Sequence, residues 1–158
     1  MIKEITIWEL IKYPKMFWAR SFEFFTNWVL LLVVLNKWTS RLFDLHTLVI
    51  FITLTSSFIT LIHPKCFIFK DEHGTVYIVR GSGAHLLNIV FHVLPMLYVL
   101  LFVKYEPNPN MLKELNSFVL IFIYICIYHP EKIYRIKIEI IILFYVIAFL
   151  IVKSIYKD

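Results

Sequence analysis

Leu45–Ile62 reads LHTLVIFITLTSSFITLI, and residues 84–103 read AHLLNIVFHVLPMLYVLLFV. Neither stretch holds a formal charge. At 1.5 Å of rise per residue, about 20 apolar residues are needed to cross a hydrocarbon core of about 30 Å. Both stretches meet that length almost unaided. Neither shows the strict in–out alternation of a barrel strand. Each therefore reads as a helix that crosses a bilayer, and the rest of the chain is read outward from these two.

The composition agrees. Of 158 residues, 60% are hydrophobic and 17% charged, against about 45–50% and about 25% in soluble domains. Too few polar residues are present to cover the surface of a soluble domain of this size. A disordered chain and a disulfide scaffold are excluded on the same ground. The predicted class is an all-α integral membrane helical bundle forming a single membrane domain over residues 1–158.

Three shorter apolar runs lie around the two strong ones. The predicted spans are about 22–38, 45–62, 84–103, 114–128 and 138–153, which makes five, with four and six as alternatives. Runs of 13 or 14 residues can still span when flanking side chains snorkel or the bilayer thins. His129-Pro130 reads as a helix terminus, and Glu139 as the interfacial boundary of the last span. Residues 1–21 are too charged to span. Ile5, Trp8 and Ile11 recur every three residues among Lys3, Glu4, Glu9 and Lys12, which predicts an interfacial helix lying on the membrane. Glu4 and Glu9 also argue against a secretory signal. The connection 63–83 holds two β-rich runs around Glu72-His73-Gly74-Thr75. It reads either as a short hairpin with Gly74 supplying a positive φ, or as a disordered loop.

With five spans, one side of the bilayer carries ten lysines and arginines and the other six. The bias predicts a cytoplasmic N-terminus and a multi-pass location in the membrane. The net charge of +5 is scattered singly and in pairs, so it anchors helix ends at headgroups and offers no footprint for nucleic acid. Cys66 and Cys126 are expected to be reduced, buried thiols.

Polar side chains inside spans are costly and each asks for a reason. His85, Asn88 and His92 fall at i, i+3 and i+7, one face of an ideal helix, with Pro95 a turn beyond. His85 and His92 are roughly 10 Å apart along the axis. Zinc needs each ligand within about 2.1 Å, so the pair cannot share an ion. No metal and no cofactor is expected. Thr26 and Asn27 open the first span. A threonine and a histidine on neighbouring helices can act as nucleophile and base, with Asn88 orienting the ring or donating to an oxyanion. Counting from the span starts places Thr26 and His92 about 7–8 Å apart in depth, so they meet only if the helices are staggered or the first span starts earlier. The hydroxyls of Thr47, Thr53, Thr55, Ser56, Ser57 and Thr60 are read as close-packing residues of the second span.

Phe24-Phe25-Thr26-Asn27 at the start of one span, with Asn88-x-x-x-His92-x-x-Pro95 two spans later, resembles the androgen-induced-gene / FAR-17a group and the related bacterial multi-pass proteins of the Pr6Pr type. The resemblance covers roughly residues 20–105. It implies a membrane threonine hydrolase acting on fatty acid esters of hydroxy fatty acids, with Thr26 as nucleophile and His92 as its partner. The group has a span ahead of the threonine, which residues 1–22 do not supply. Two functions are carried forward. One is a lipid-ester hydrolase with catalytic Thr26, His92 and Asn88, opening to the lipid bilayer and taking a fatty-acyl substrate. The other is a non-catalytic membrane structural or assembly component. A transporter ranks third, for want of a carboxylate pair or inverted repeat.

Overall fold

The computed structural model describes residues 2–12, 24–62, 68–70, 73, 75–79, 82–107, 110–131 and 136–157. The fold is mostly helical. Its elements run β1 (Ile2–Ile5), α1 (Ile7–Lys12), α2 (Phe25–Val34), α3 (Asn36–Thr39), α4 (Leu45–Ile62), β2 (Ile68–Lys70), β3 (Val76–Val79), α5 (Ser82–Phe102), α6 (Leu112–Tyr128) and α7 (Ile138–Ile155). Among the described helices, α4, α5 and α7 are long and apolar enough to cross a membrane.

The centre of the bundle is α4, which packs against α2, α5, α6 and α7. Eight consecutive residues from Leu45 to Ile52 are buried, because neighbours surround that half of the helix. The partner helices bury single stripes instead. Phe25, Val29 and Val33 face inward on α2. Ile141, Tyr145, Ala148 and Val152 do so on α7. Both spacings are those of one helical face. The outward faces carry large apolar side chains such as Leu31, Val34, Leu97, Leu101, Leu143 and Leu150, all exposed.

Several boundaries differ from the sequence reading. The first apolar run is broken at Leu35 into α2 and α3. The polar side chains at the break explain it. Asn36 donates to the Val33 carbonyl at 2.9 Å and Thr39 to the Leu32 carbonyl at 2.6 Å, satisfying groups that a helix end leaves open. The sixth helix starts at Leu112 and ends at Tyr128, and His129 takes φ 48° in the left-handed region. Backbone before proline avoids the right-handed helix, so the His129-Pro130 terminus is as expected. Glu139 lies in the first turn of α7, where a carboxylate opposes the helix dipole. Cys126 is exposed on the outward face of α6, contrary to the buried reading. Apolar flanks on both sides of it mark an outward stripe as readily as an inward one.

The N-terminal region is not one helix. Ile2–Ile5 forms a strand parallel to β3, with Ile2 opposite Val76 and Ile5 opposite Val79. β-branched Ile2, Ile5 and Thr6 favour extended backbone, and the edge of β3 supplies hydrogen-bond partners that an isolated short helix lacks. Thr6 then caps α1. Its hydroxyl accepts from the Glu9 N–H at 3.3 Å, and its own N–H donates to Glu9 Oε2 at 2.7 Å, a reciprocal capping box. Residues 13–21 of the expected interfacial helix lie outside the described residues.

The connection 63–83 does hold a hairpin. β2 runs antiparallel to β3, Phe69 opposite Tyr77, and the sheet order is β1-β3-β2. Gly74, expected to supply the turn, lies outside the described residues. Tyr77 and Val79 point inward and form a second small core with Ile5 and Leu87, against which Ile7, Phe24 and Phe91 pack. A Cβ on Gly83 would stand 3.2 Å from Val79 Cγ1 and 3.3 Å from Ile7 Cβ. The sheet therefore sits close on the first turns of α5 and over the residues that lead into Thr26 and His92.

Candidate functional site

The site forms where α2, α4 and α5 meet. Thr26 is the second residue of α2, and His92 is the eleventh of α5. The expected depth mismatch disappears by stagger: α2 has 10 residues, about 15 Å, and starts beside the middle of α5. Thr26 Oγ1 lies 3.0 Å from His92 Nε2. Thr26 is half-buried and His92 only 7% exposed.

The ring's other nitrogen fixes its chemistry. His92 Nδ1 is 3.2 Å from the Asn88 backbone carbonyl. A carbonyl oxygen can only accept, so Nδ1 carries the proton. In the neutral ring, Nε2 then presents a lone pair, and the Thr26 hydroxyl donates to it. This is the arrangement in which a base can take a proton from a hydroxyl nucleophile.

Local backbone makes the contact possible. Ile89–Val93 winds as a π turn, and the Leu94 N–H reaches the Ile89 carbonyl five residues back. Pro95 follows immediately and has no N–H to give to the preceding turn. A widened turn inserts an extra residue into the helix and shifts the faces before and after it by about 100°. This moves His85 off the face that ideal periodicity would share with His92. His92 is buried and Asn88 half-buried, while His85 is exposed.

The sequence reading missed two participants, both among the hydroxyls read as packing residues. Thr53 Oγ1 lies 2.8 Å from its own Val49 carbonyl and 3.0 Å from the His92 carbonyl. Ser56 donates to Asn88 Oδ1 at 2.6 Å. The signal was their i, i+3 spacing on α4, one helical face opposite the i, i+4 pair Asn88/His92 across the interface. Thr60 conforms to the packing expectation, bonding back to Ser56. Aromatic rings close the inner side: Phe25 stands 5.1 Å from Tyr124 and 5.9 Å from Phe51, centroid to centroid.

A separate polar cluster lies at the opposite end of the bundle. Asp44 caps α4 through the Thr47 N–H at 3.1 Å, and the Asp44 N–H donates to Ser117 Oγ at 2.8 Å. Lys153 pairs with buried Glu114 at 2.8 Å. His46 donates through Nε2 to the Val103 carbonyl at 3.1 Å, its ring edge-on to Tyr105 and Tyr156. These contacts tie the loops to α4, α6 and α7, and Glu114 Oε2 stays buried without a hydrogen-bond partner. Among the described residues, no group of three or more His, Cys, Asp or Glu stands where it could hold a metal ion.

No protein-family model, curated protein or solved structure matches this chain.

Proposed function

We propose that the chain is a multi-pass membrane protein with a cytoplasmic N-terminus, crossing the bilayer five times through α2 with α3, α4, α5, α6 and α7. We further propose that it is a lipid-ester hydrolase, akin to the androgen-induced-gene / FAR-17a threonine hydrolases, with Thr26 as nucleophile and His92 as base. The observation that carries the activity is the 3.0 Å contact from the Thr26 hydroxyl to a His92 Nε2 whose partner nitrogen is held by a carbonyl. The threonine's polar contact runs across to another helix, onto a ring nitrogen able to take its proton.

In this reading, Thr26 Oγ1 attacks the ester carbonyl carbon while its proton passes to Nε2. The carbonyl π electrons move to oxygen, and the Asn88 side-chain amide N–H donates to that oxyanion. Collapse expels the alcohol, which takes the proton from His92 and leaves an acyl-threonine. Water, deprotonated by His92, then attacks the acyl carbon, releasing the fatty acid and returning the proton to Thr26. The apolar outward faces of α2 and α5 suit an acyl chain arriving laterally from the bilayer.

The test compares purified wild type with Thr26→Ala and His92→Ala on lipid esters, and maps labelling by an acylating hydrolase probe. Labelling at Thr26 and loss of turnover in both variants support the reading. Equal turnover in all three rejects it in favour of a non-catalytic membrane component.

A further inference from the structure

The irregular part of the site is the π turn of α5, and α4 grips it at two points. The Thr53 hydroxyl has a sufficient acceptor on its own helix, the Val49 carbonyl at 2.8 Å. It lies equally within reach of the His92 carbonyl, at 3.0 Å on the neighbouring helix. One turn away, Ser56 donates to Asn88 Oδ1 at 2.6 Å, closer than its 3.2 Å approach to the Thr53 carbonyl. Asn88 in turn holds the His92 ring through its backbone carbonyl. His92 is thus fixed by its carbonyl and by its ring, and both restraints trace back to α4.

From this geometry we infer that Thr53 and Ser56 are positioning residues: they clasp the widened turn and so aim His92 Nε2 at Thr26. A π turn is a rare conformation, found mostly as single turns inside α-helices and frequently at functional sites. Its hydrogen bonding is irregular, so partners from outside the helix decide whether it persists. Thr53 and Ser56 sit three residues apart on α4, and Asn88 and His92 four apart on α5, so each pair occupies one face. The two faces meet donor to acceptor at the irregular turn. Relaxation of α5 to a regular helix would turn His92 off Thr26 and loosen the Nδ1 contact.

The inference rests on the hydrolase reading for its purpose, but its central readout does not depend on turnover. Wild type, Thr53→Val, Ser56→Ala and the hydroxyl-keeping controls Thr53→Ser and Ser56→Thr are purified in detergent with 15N-labelled histidine. Thermal melting checks their folding. The nitrogen shifts of His92 report which ring nitrogen carries the proton. The expected result is a single Nδ1–H form in wild type and both controls, and a mixture of tautomers in Thr53→Val and Ser56→Ala. Labelling of Thr26 by an acylating probe should fall roughly tenfold to a hundredfold in the same two variants. An unchanged single tautomer in folded Ser56→Ala and Thr53→Val overturns the inference, whatever the labelling. If Thr53→Val does not fold, Ser56→Ala decides. Wild type that never labels at Thr26 counts against the hydrolase reading instead, and the tautomer result still judges the positioning role.

Discussion

Thr26 and His92 are 66 residues apart in the chain, and Thr26 Oγ1 is 3.0 Å from His92 Nε2. The tautomer imposed by the Asn88 carbonyl makes that contact directional: the hydroxyl gives and the imidazole receives. The proposed hydrolysis therefore needs a hydroxyl at this position but not its methyl group. Thr26→Ser should keep measurable hydrolysis and probe labelling. Thr26→Ala should lose acylation and probe labelling, and His92→Gln should lose about 10²–10⁴ of turnover, the usual share of a positioned acid–base group. Glutamine fills a similar volume without a basic nitrogen, so a His92→Gln variant as active as wild type would show that Nε2 takes no proton.

Pro95 should matter through the shape of α5. It stands two residues after the π turn and offers no N–H to the turn before it. Pro95→Ala restores that donor and favours a regular α-helix. The expected outcome is a helix that melts higher, because proline in a helix interior costs about 3 kcal/mol, yet a protein that labels more slowly at Thr26. A stability gain with unchanged labelling would mean that the turn is held without help from the proline.

The long helices were legible because their apolar length alone decides them, as at Leu45–Ile62. The Thr26/His92 pairing was legible only as residue types, since their depths from sequence disagreed by a helical stagger that no local pattern encodes. His85 was misplaced because helical periodicity assumes 3.6 residues per turn, and Ile89–Val93 does not obey it. Thr53 and Ser56 went unseen for a related reason. Hydroxyls in an apolar helix read the same whether they bond back to their own helix or across to another. Ile2–Ile5 was misread because its strand partner, β3, lies more than 70 residues away.

The Lys153–Glu114 pair should be felt mainly through Glu114. Its side chain is 7% exposed against 37% for Lys153, so the carboxylate is the group stranded when the pair is broken. Lys153→Met should destabilise by about 2 kcal/mol, the scale of a hydrogen bond to a charged group. Adding Glu114→Gln should recover much of that loss. Thermal melting of the single and double variants in detergent checks it. A double variant no better than Lys153→Met would show that the lysine stem, not the charge, does the stabilising.

The proposed five crossings, with a cytoplasmic N-terminus, put the two ends of the chain on opposite sides of the bilayer. With Cys66 and Cys126 replaced by serine, Lys3→Cys and Lys157→Cys should react with an impermeant maleimide from opposite faces of sealed vesicles, Lys3→Cys from the cytoplasmic one. Reaction of both from one face would require an even number of crossings and would overturn the five-span arrangement.

The capping box at the start of α1 carries a pH dependence with a defined sign. The Thr6 N–H, and after it the Thr6 hydroxyl, hold the Glu9 carboxyl below its ordinary value. A carboxylate whose folded value is lowered stabilises its structure above the unfolded pKa, and that contribution is lost as pH falls through the folded one. Helix α1 should therefore be fully capped at neutral pH and fray under acid, below the usual range for glutamate. Glu9→Gln should remove this transition while leaving the Thr6 hydroxyl to cap the Glu9-position N–H. The amide shifts of residues 6 and 9, followed through an acid titration in detergent, report it. A wild-type transition at or above the ordinary glutamate value would mean that the Thr6 N–H does not hold the carboxylate in solution.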